Sequence, residues 1–294
     1  MPRTIVSPLL ASVLSVALLK GSNAIASSTD PVFEWARQFG SISVETRSVA
    51  TDSQGSMISA GFYYWFDDFD PGPGDFTINA AGAMEAYVLK LDANGDFLWV
   101  RSFGGVDYDN AHSVTTDAQD NVIVAGTFEG TADFDQGPGT VELTSTGPRS
   151  TFLVKLDANG NLLWARSYAQ TVLNYYPHPR AIRTDTAGNI YMAVGFEILK
   201  ISPSGTQLWQ RILSGSGNSI SVAPTLSNEV YLAGTFSGGV DLAPGPDVQY
   251  HTSNGAKDVF LLKLDGDGNF ISAIAIGGAN DDDVISMAVD RAGR

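Results

Sequence analysis

The apolar positions of this chain recur with a period of two in short runs, such as Val122-Ile123-Val124-Ala125-Gly126 and Thr151-Phe152-Leu153-Val154-Lys155. Beyond the first 26 residues no stretch sustains the 3.6-residue period of an amphipathic helix, so the pattern predicts strands almost throughout. Turn sequences of one kind separate the runs. In Asp92-Ala93-Asn94-Gly95 and Asp157-Ala158-Asn159-Gly160 the leading Asp can accept from the backbone two residues on, and the closing Gly tolerates a positive φ, which suits a tight hairpin.

These turns belong to a longer repeat. Lys90-Leu91-Asp92-Ala93-Asn94-Gly95-Asp96-Phe97-Leu98-Trp99 returns as Lys155-Leu156-Asp157-Ala158-Asn159-Gly160-Asn161-Leu162-Leu163-Trp164. Looser copies are Lys200-Ile201-Ser202-Pro203-Ser204-Gly205 with Trp209, and Lys263-Leu264-Asp265-Gly266-Asp267-Gly268 with Ser272 in the Trp position. The chain opens inside the same clause at Trp35. The positions 35, 99, 164, 209 and 272 are spaced by 64, 65, 45 and 63 residues, a period longer than that of most helical repeats.

The best-written copy predicts strands at Ser113 to Asp117, Val122 to Phe128, Phe152 to Leu156 and Leu162 to Ser167. Four antiparallel strands per repeat make one blade of a β-propeller, so the expected fold class is all-β. The expected blades are residues 33–104, 105–169, a short third at 170–214, and 215–278, with a fifth beginning at 279–294. Val284 to Asp290 matches the first strand of a blade without its hairpin partners, which predicts about four blades plus a partial one, truncated and not closed.

The amino terminus reads differently. Arg3, the apolar run Ile5 to Leu19 and the small-x-small triplet Ala24-Ile25-Ala26 have the form of a secretory signal peptide over residues 1–26. The run is 15 residues long, short of the roughly 20 that span a bilayer. Residues 27–294 are then expected to be exported, secreted or on a cell surface, with no membrane span after signal removal. The formal net charge of −15 grows more negative by two when Arg3 and Lys20 leave, which makes nucleic acid and anionic lipid poor partners. With no cysteine there is neither a disulfide framework nor a thiolate metal site, and stability must come from blade packing.

If strands run up, down, up, down, the connection between strands two and three and the link to the next blade emerge at the same end. The first carries Asp68-Phe69-Asp70-Pro71-Gly72-Pro73-Gly74, Asp133-Phe134-Asp135-Gln136-Gly137-Pro138-Gly139 and the looser Asp241-Leu242-Ala243-Pro244-Gly245-Pro246-Asp247. The short third repeat omits it, since Phe196 runs almost directly into Ile198-Leu199-Lys200, and this reads as a surface excursion of the kind that carries function. The links add Asp107 and Asp109. Gathered carboxylates suit a hard cation, so Asp68, Asp70, Asp133, Asp135, Asp107 and Asp109 are candidate Ca²⁺ ligands; Asp caps on rigid turns, or solubility alone, are the competing readings.

The hairpin turns are structural by the same reasoning. An EF-hand-type loop needs Gly sixth and Glu twelfth, whereas Gly95, Gly160 and Gly268 come fourth and Phe103, Tyr168 and Ile276 twelfth. Asp92, Asp157, Asp265 and Gly205 are assigned to the same scaffold. Trp35, Trp99, Trp164 and Trp209 stand a fixed step after the turn Gly and are expected to fill the interface between blades. Outside that register, Tyr63, Trp65, Tyr108, Tyr175 and Tyr176 border the loop end, where they are candidates for stacking on sugar rings as well as for ordinary strand or loop positions.

His112, His178 and His251 are the only histidines, none at metal-ligand spacing, and there is no Gly-x-Ser-x-Gly elbow, phosphate loop or His-Glu-x-x-His. Nucleophilic and zinc hydrolase chemistry therefore have no motif. A pair of carboxylates for glycoside hydrolysis needs only spacing in space, and stays open.

The succession Thr184-Asp185-Thr186-Ala187-Gly188-Asn189, Ala125-Gly126-Thr127-Phe128 or Ala233-Gly234-Thr235-Phe236, Asp133-Phe134-Asp135, and Lys155-Leu156-Asp157-Ala158-Asn159-Gly160 through Trp164-Ala165-Arg166-Ser167 resembles the bacterial β-propeller repeat called SBBP, over roughly residues 33 to 294. The resemblance implies an exported or surface-displayed bacterial protein, often with a carboxyl-terminal adhesion or sorting domain, which this sequence does not reach. A weaker likeness runs to pyrroloquinoline-quinone propellers, whose turn is one residue longer and carries a Thr. The expected function is a non-enzymatic binding scaffold for an extracellular protein or polysaccharide, assisted by Ca²⁺ if the acidic loop end holds it. The rivals are a carboxylate-based polysaccharide-active enzyme and a structural cell-surface spacer.

Overall fold

A computed structural model of the chain describes residues 16–20, 32–41, 43–135, 137, 139–168 and 178–290. Most of the expected signal peptide lies outside them. Its described part, β1 (Val16–Lys20), pairs antiparallel with β2 (Val32–Arg37).

The described residues form four antiparallel four-stranded units of an all-β, propeller-type fold, and no helix occurs among them. Blade 1 is β3 (Val44–Thr51), β4 (Met57–Tyr63), β7 (Glu85–Leu91) and β8 (Phe97–Gly105), with the small hairpin β5 (Phe66–Asp68) and β6 (Thr77–Asn79) inserted after its second strand. Blade 2 is β9 (Asn110–Thr116), β10 (Val122–Phe128), β13 (Ser150–Leu156) and β14 (Leu162–Tyr168), with the insert β11 (Thr131–Asp133) and β12 (Glu142–Thr144). Blade 3 is β15 (Pro179–Thr184), β16 (Ile190–Val194), β17 (Glu197–Ile201) and β18 (Gln207–Ile212), with no insert. Blade 4 is β19 (Ser214–Pro224), the long β20 (Glu229–Asp241), β22 (Asp258–Asp265) and β23 (Phe270–Ile276), its insert closed by β21 (Tyr250–Thr252).

Two boundaries differ from expectation. Residues 33–37 stand outside the sheet of the first blade, because β2 occupies the place of an outer strand before it. Val284 to Asp290 carries no strand assignment, and touches blade 4 through Ser221 Oγ, which donates to Met287 O at 3.4 Å.

The repeated turn residues knit neighbouring blades together. Trp35, Trp99, Trp164 and Trp209 donate their indole N–H to Ala93, Ala158, Pro203 and Gly266 in the hairpin turn of the following blade, at 2.9, 3.1, 3.0 and 3.0 Å. The closing Gly of that turn lies flat beneath the indole. At Gly160 φ is +79°, and a Cβ would stand 2.9 Å from the Trp99 ring, so conformation and space both require glycine. Arg101 and Arg211 add a clamp from two residues on, donating Nε–H to Gly160 O at 2.8 Å and to Gly268 O at 2.7 Å. The Asp of each turn accepts from the backbone two and four residues on: Asp92 from Asn94 and Asp96, Asp157 from Asn159 and Asn161, Asp265 from Asp267 and Asn269. These bonds favour the ionised form, and the backbone N–H of Asp96 and of Asn269 is the leading reason that Asp92 and Asp265 sit below the usual carboxylate range.

Buried lysines tie the first two blades internally. Lys90 meets Asp52 at 2.9 Å and Lys155 meets Asp117 at 2.8 Å, all four side chains almost without exposure.

Candidate functional site

The other end of the blades is built differently. The insert expected to be a surface excursion is a packed clasp. Gly40 N–H donates to Asp68 O at 2.9 Å, Ala132 and Asp133 pair with Gly105 and Gly104, and Val240 and Asp241 pair with Gly215 and Ser214. Each insert therefore grips the chain that leaves the preceding blade. Its central apolar residue, Phe69, Phe134 or Leu242, is fully buried. Phe134 touches Phe128, Phe152 and Phe103, with ring centroids 5.5, 5.0 and 6.1 Å apart. An apolar anchor and a backbone ladder make the insert part of the interface between blades.

The candidate calcium carboxylates serve that clasp. Asp68 Oδ1 accepts from Asp70 and Phe76 N–H at 3.0 and 2.8 Å, and Asp133 Oδ1 accepts from Asp135 and Val141 at 3.0 and 2.9 Å. Asp241 repeats the pattern with Ala243 and Gln249. Asp70 and Asp135 close the next turn by accepting from Gly72 and Gly137. Asp109 is buried and accepts from Gly105 at 2.8 Å and Glu129 at 3.3 Å, while Asp107 is exposed beside Gly130. Among the described residues no three His, Asp or Glu side chains stand together as metal ligands do. Asp68, Asp70, Asp133 and Asp135 cap backbone turns of the clasp, as the competing reading expects. Burial, reinforced by Glu85 and Asp107, pushes the Asp109 carboxyl up to about 7, and burial likewise raises Glu85, which accepts from Ala81 N–H.

The candidate aromatic contacts separate. Tyr63 is buried in the core of blade 1 against Phe69, with ring centroids 5.4 Å apart, and is corrected to a packing residue, because a fully covered ring has no face to offer a sugar. Tyr175 and Tyr176 lie outside the described residues. Tyr108 is exposed and bridges to Met84. Trp65 is the outlier. It is 70 % exposed and takes φ +61°, a region where the other non-glycine residues among those described are Asp120 and Asn228. Asp and Asn visit this region at little cost, and a bulky residue does not.

A second feature escaped the sequence pattern. Each inner strand carries a β-bulge at one register position, so that one residue has no partner across the ladder: Arg47 between Thr46 and Ser48, His112 between Ala111 and Ser113, Arg180 between Pro179 and Ala181, Ile220 between Ser219 and Ser221. Ile285 stands at the equivalent point before Ser286. Opposite three of these bulges are Gly61, Gly126 and Gly234, where a Cβ would run into the carbonyl of Glu45, Asn110 or Asn218. The Ala-Gly pair of the second strand in blades 1, 2 and 4 is therefore the trace of the bulge, which turns a side chain out of the sheet; blade 3 has Ala193-Val194 there. The five residues meet around one cavity of about 350 Å³, lined by Arg47, Asn110, His112, His178, Arg180, Ile220 and Ile285.

The histidines read as unpaired in the sequence meet here. His178 Nδ1 and His112 Nε2 are 3.0 Å apart, and His112 Nε2 is 3.1 Å from Thr127 Oγ1. Burial first, then the charges of His178, Arg47, Arg149 and Arg180, push His112 down to about 3; burial and the same three arginines lower His178. His112 is the bulged residue of its strand, whereas His178 stands two residues before the bulged Arg180, at the place Asn110 holds in the blade before, so no repeat register pairs the two histidines in the sequence.

Fold and repeat define this chain as a β-propeller repeat protein. Over 228 residues it is 28 % identical to an uncharacterised WD repeat-containing protein of Acanthamoeba polyphaga mimivirus, covering 72 % of this chain and 14 % of that protein. The chain thus spans about one seventh of the length of the curated relative it matches. No family model matches. Among solved structures it is similar to a protein of unknown function from Bacteroides caccae (13 % identity, TM-score 0.45, 90 % of this chain and 94 % of that one). Another is a protein of unknown function from Dyadobacter fermentans (12 %, TM-score 0.41, 84 % and 79 %).

Proposed function

We propose that this chain is an exported, non-enzymatic β-propeller whose loop end binds an extracellular polysaccharide, with Trp65 as the stacking surface. The observation that carries the reading is the backbone of Trp65. Holding a bulky side chain in the left-handed region costs about 1–2 kcal/mol, and an indole 70 % exposed recovers little of that by packing. Phe66 beside it is also exposed, and the Tyr64 ring lies 6.0 Å from that of Trp65. Exposed aromatic faces gathered at one loop suit the apolar face of a sugar ring. Export rests on the form of residues 1–26 and on the resemblance to SBBP repeats. Binding is favoured over carboxylate catalysis because Asp68, Asp133 and Asp241 already accept two backbone N–H groups each.

The test is retention of the intact chain on a panel of insoluble and immobilised polysaccharides, with and without chelator, and with product analysis. The expected result is retention that survives chelator, releases no product and is lost in Trp65→Ala. Release of oligosaccharides would move the protein to the enzymes. Loss of retention in chelator would restore calcium to the account, and no retention on any glycan would leave a protein partner or a spacer role.

A further inference from the structure

We infer that the cavity ringed by the bulged residues is a binding site for a small organic anion, whose oxyanion head sits between Arg47 and Arg180 and whose body lies toward Ile220 and Ile285. This site is separate from Trp65 and does not depend on the polysaccharide reading.

Three observations converge on it. First, position: the cavity walls come from the bulged residue of successive inner strands. The residues just after the bulge repeat closely, as Ser48, Ser113, Ser221 and Ser286, whereas the bulged residue changes from Arg to His to Arg to Ile to Ile. A position that the scaffold holds constant in geometry and leaves free in chemistry is where a ligand would be read. Second, charge: in a chain of formal net charge −15, the fields of Arg47, Arg149 and Arg180 all reach His112 and His178. Arg47 is paired with Glu45 at 2.8 Å and Arg149 with Glu129, but Arg180 has no hydrogen bond or ion pair among the described residues. Guanidinium forks recognise carboxylate and phosphate oxygens in pairs. Third, an unmet group: Asn110 is 8 % exposed, lines the cavity, and its Oδ1 has no hydrogen-bond partner. A buried amide oxygen without a donor is costly, and a ligand hydroxyl or protonated acid would supply one.

The cavity is chemically lopsided, basic on the side of blades 1 to 3 and aliphatic at Ile220 and Ile285. That asymmetry favours an anion with an apolar body over a bare ion. Carboxylates and phosphates share the head-group chemistry, and the probes separate them.

The experiment is calorimetric titration of the intact chain at low salt with acetate, hexanoate and inorganic phosphate, followed in parallel by the ring-proton NMR shifts of His112 and His178. The expected result is saturable binding, tighter for hexanoate than acetate, with both histidine signals moving. Arg180→Gln and Arg47→Gln should each weaken it at least tenfold, whereas Arg183→Gln, an exposed arginine on the same strand as Arg180, should leave it unchanged. Saturable binding of phosphate alone, with the same dependence on Arg180, would keep the oxyanion site at the arginines and overturn the apolar body toward Ile220 and Ile285. Absence of saturable binding by every probe, or equal weakening by Arg183→Gln, would overturn it.

Discussion

The two ends of each blade obey different rules. At the turn end the same residues recur and each has a partner in the next blade: the indole of Trp99 on Ala158 O, the Gly160 backbone beneath that indole, the guanidinium of Arg101 on Gly160 O. At the loop end geometry recurs while chemistry changes, since the bulge is kept and its residue runs Arg47, His112, Arg180, Ile220. Repetition of a side chain in this molecule marks a scaffold contact, and repetition of a backbone irregularity with a changing side chain marks a place open to a ligand. The Asp-Phe-Asp inserts obey the first rule although they stand at the second end, which is why their carboxylates are engaged by backbone N–H groups.

The largest effect that would test this division is at the turn end. Trp99→Ala should cost about 3–5 kcal/mol, as a near-buried indole is removed from between two blades, and should lower the melting temperature far more than any substitution around the cavity of the bulged residues. Next, Asp117→Ala should cost about 3 kcal/mol or more by leaving Lys155 buried without its partner. Asp117→Ala/Lys155→Met should recover part of that loss, while the turn hydrogen bonds that Asp117 Oδ1 accepts from Gln119 and Asn121 stay lost; a double variant no more stable than the single one would remove the ion pair from the account. A smaller effect is expected in pH dependence. The folded-state pKa of Asp109, about 7, lies above the 3.8 of the free side chain, so its contribution is fully present below 3.8 and is lost as pH rises through 7. Melting temperature should therefore fall as pH is raised from about 5 to about 8, and Asp109→Asn should flatten that fall.

Much of the turn end was legible in the sequence, because hairpin chemistry is local. The second blade shows it: predicted strands at Val122 to Phe128 and Leu162 to Ser167 match β10 and β14 to within one residue, and the inner strand begins three residues earlier than Ser113. The inter-blade role of the tryptophans followed from their fixed step. The loop end was less legible, since its features depend on contacts between repeats. Phe69 and Phe134 read as loop residues because nothing local says that their hairpins fold back on the preceding blade. His112 read as isolated because a bulge shifts the face of one residue without disturbing the period-two pattern on either side, and His178, just before β15, meets it only across the blades. Gly61, Gly126 and Gly234, each following an Ala, were the visible trace of it.

The central claim is that loop-end residues are kept for recognition at some expense to the fold, and the thermal melt of Trp65→Gly tests it most directly. Glycine accepts the left-handed backbone of position 65 without strain, and the indole it replaces is largely in solvent. The account predicts a melting temperature equal to or a few degrees above that of the parent chain, by relief of about 1 kcal/mol or more of strain. A fall comparable to that of Trp99→Ala would mean that Trp65 holds the fold together, and would contradict the division between the two ends.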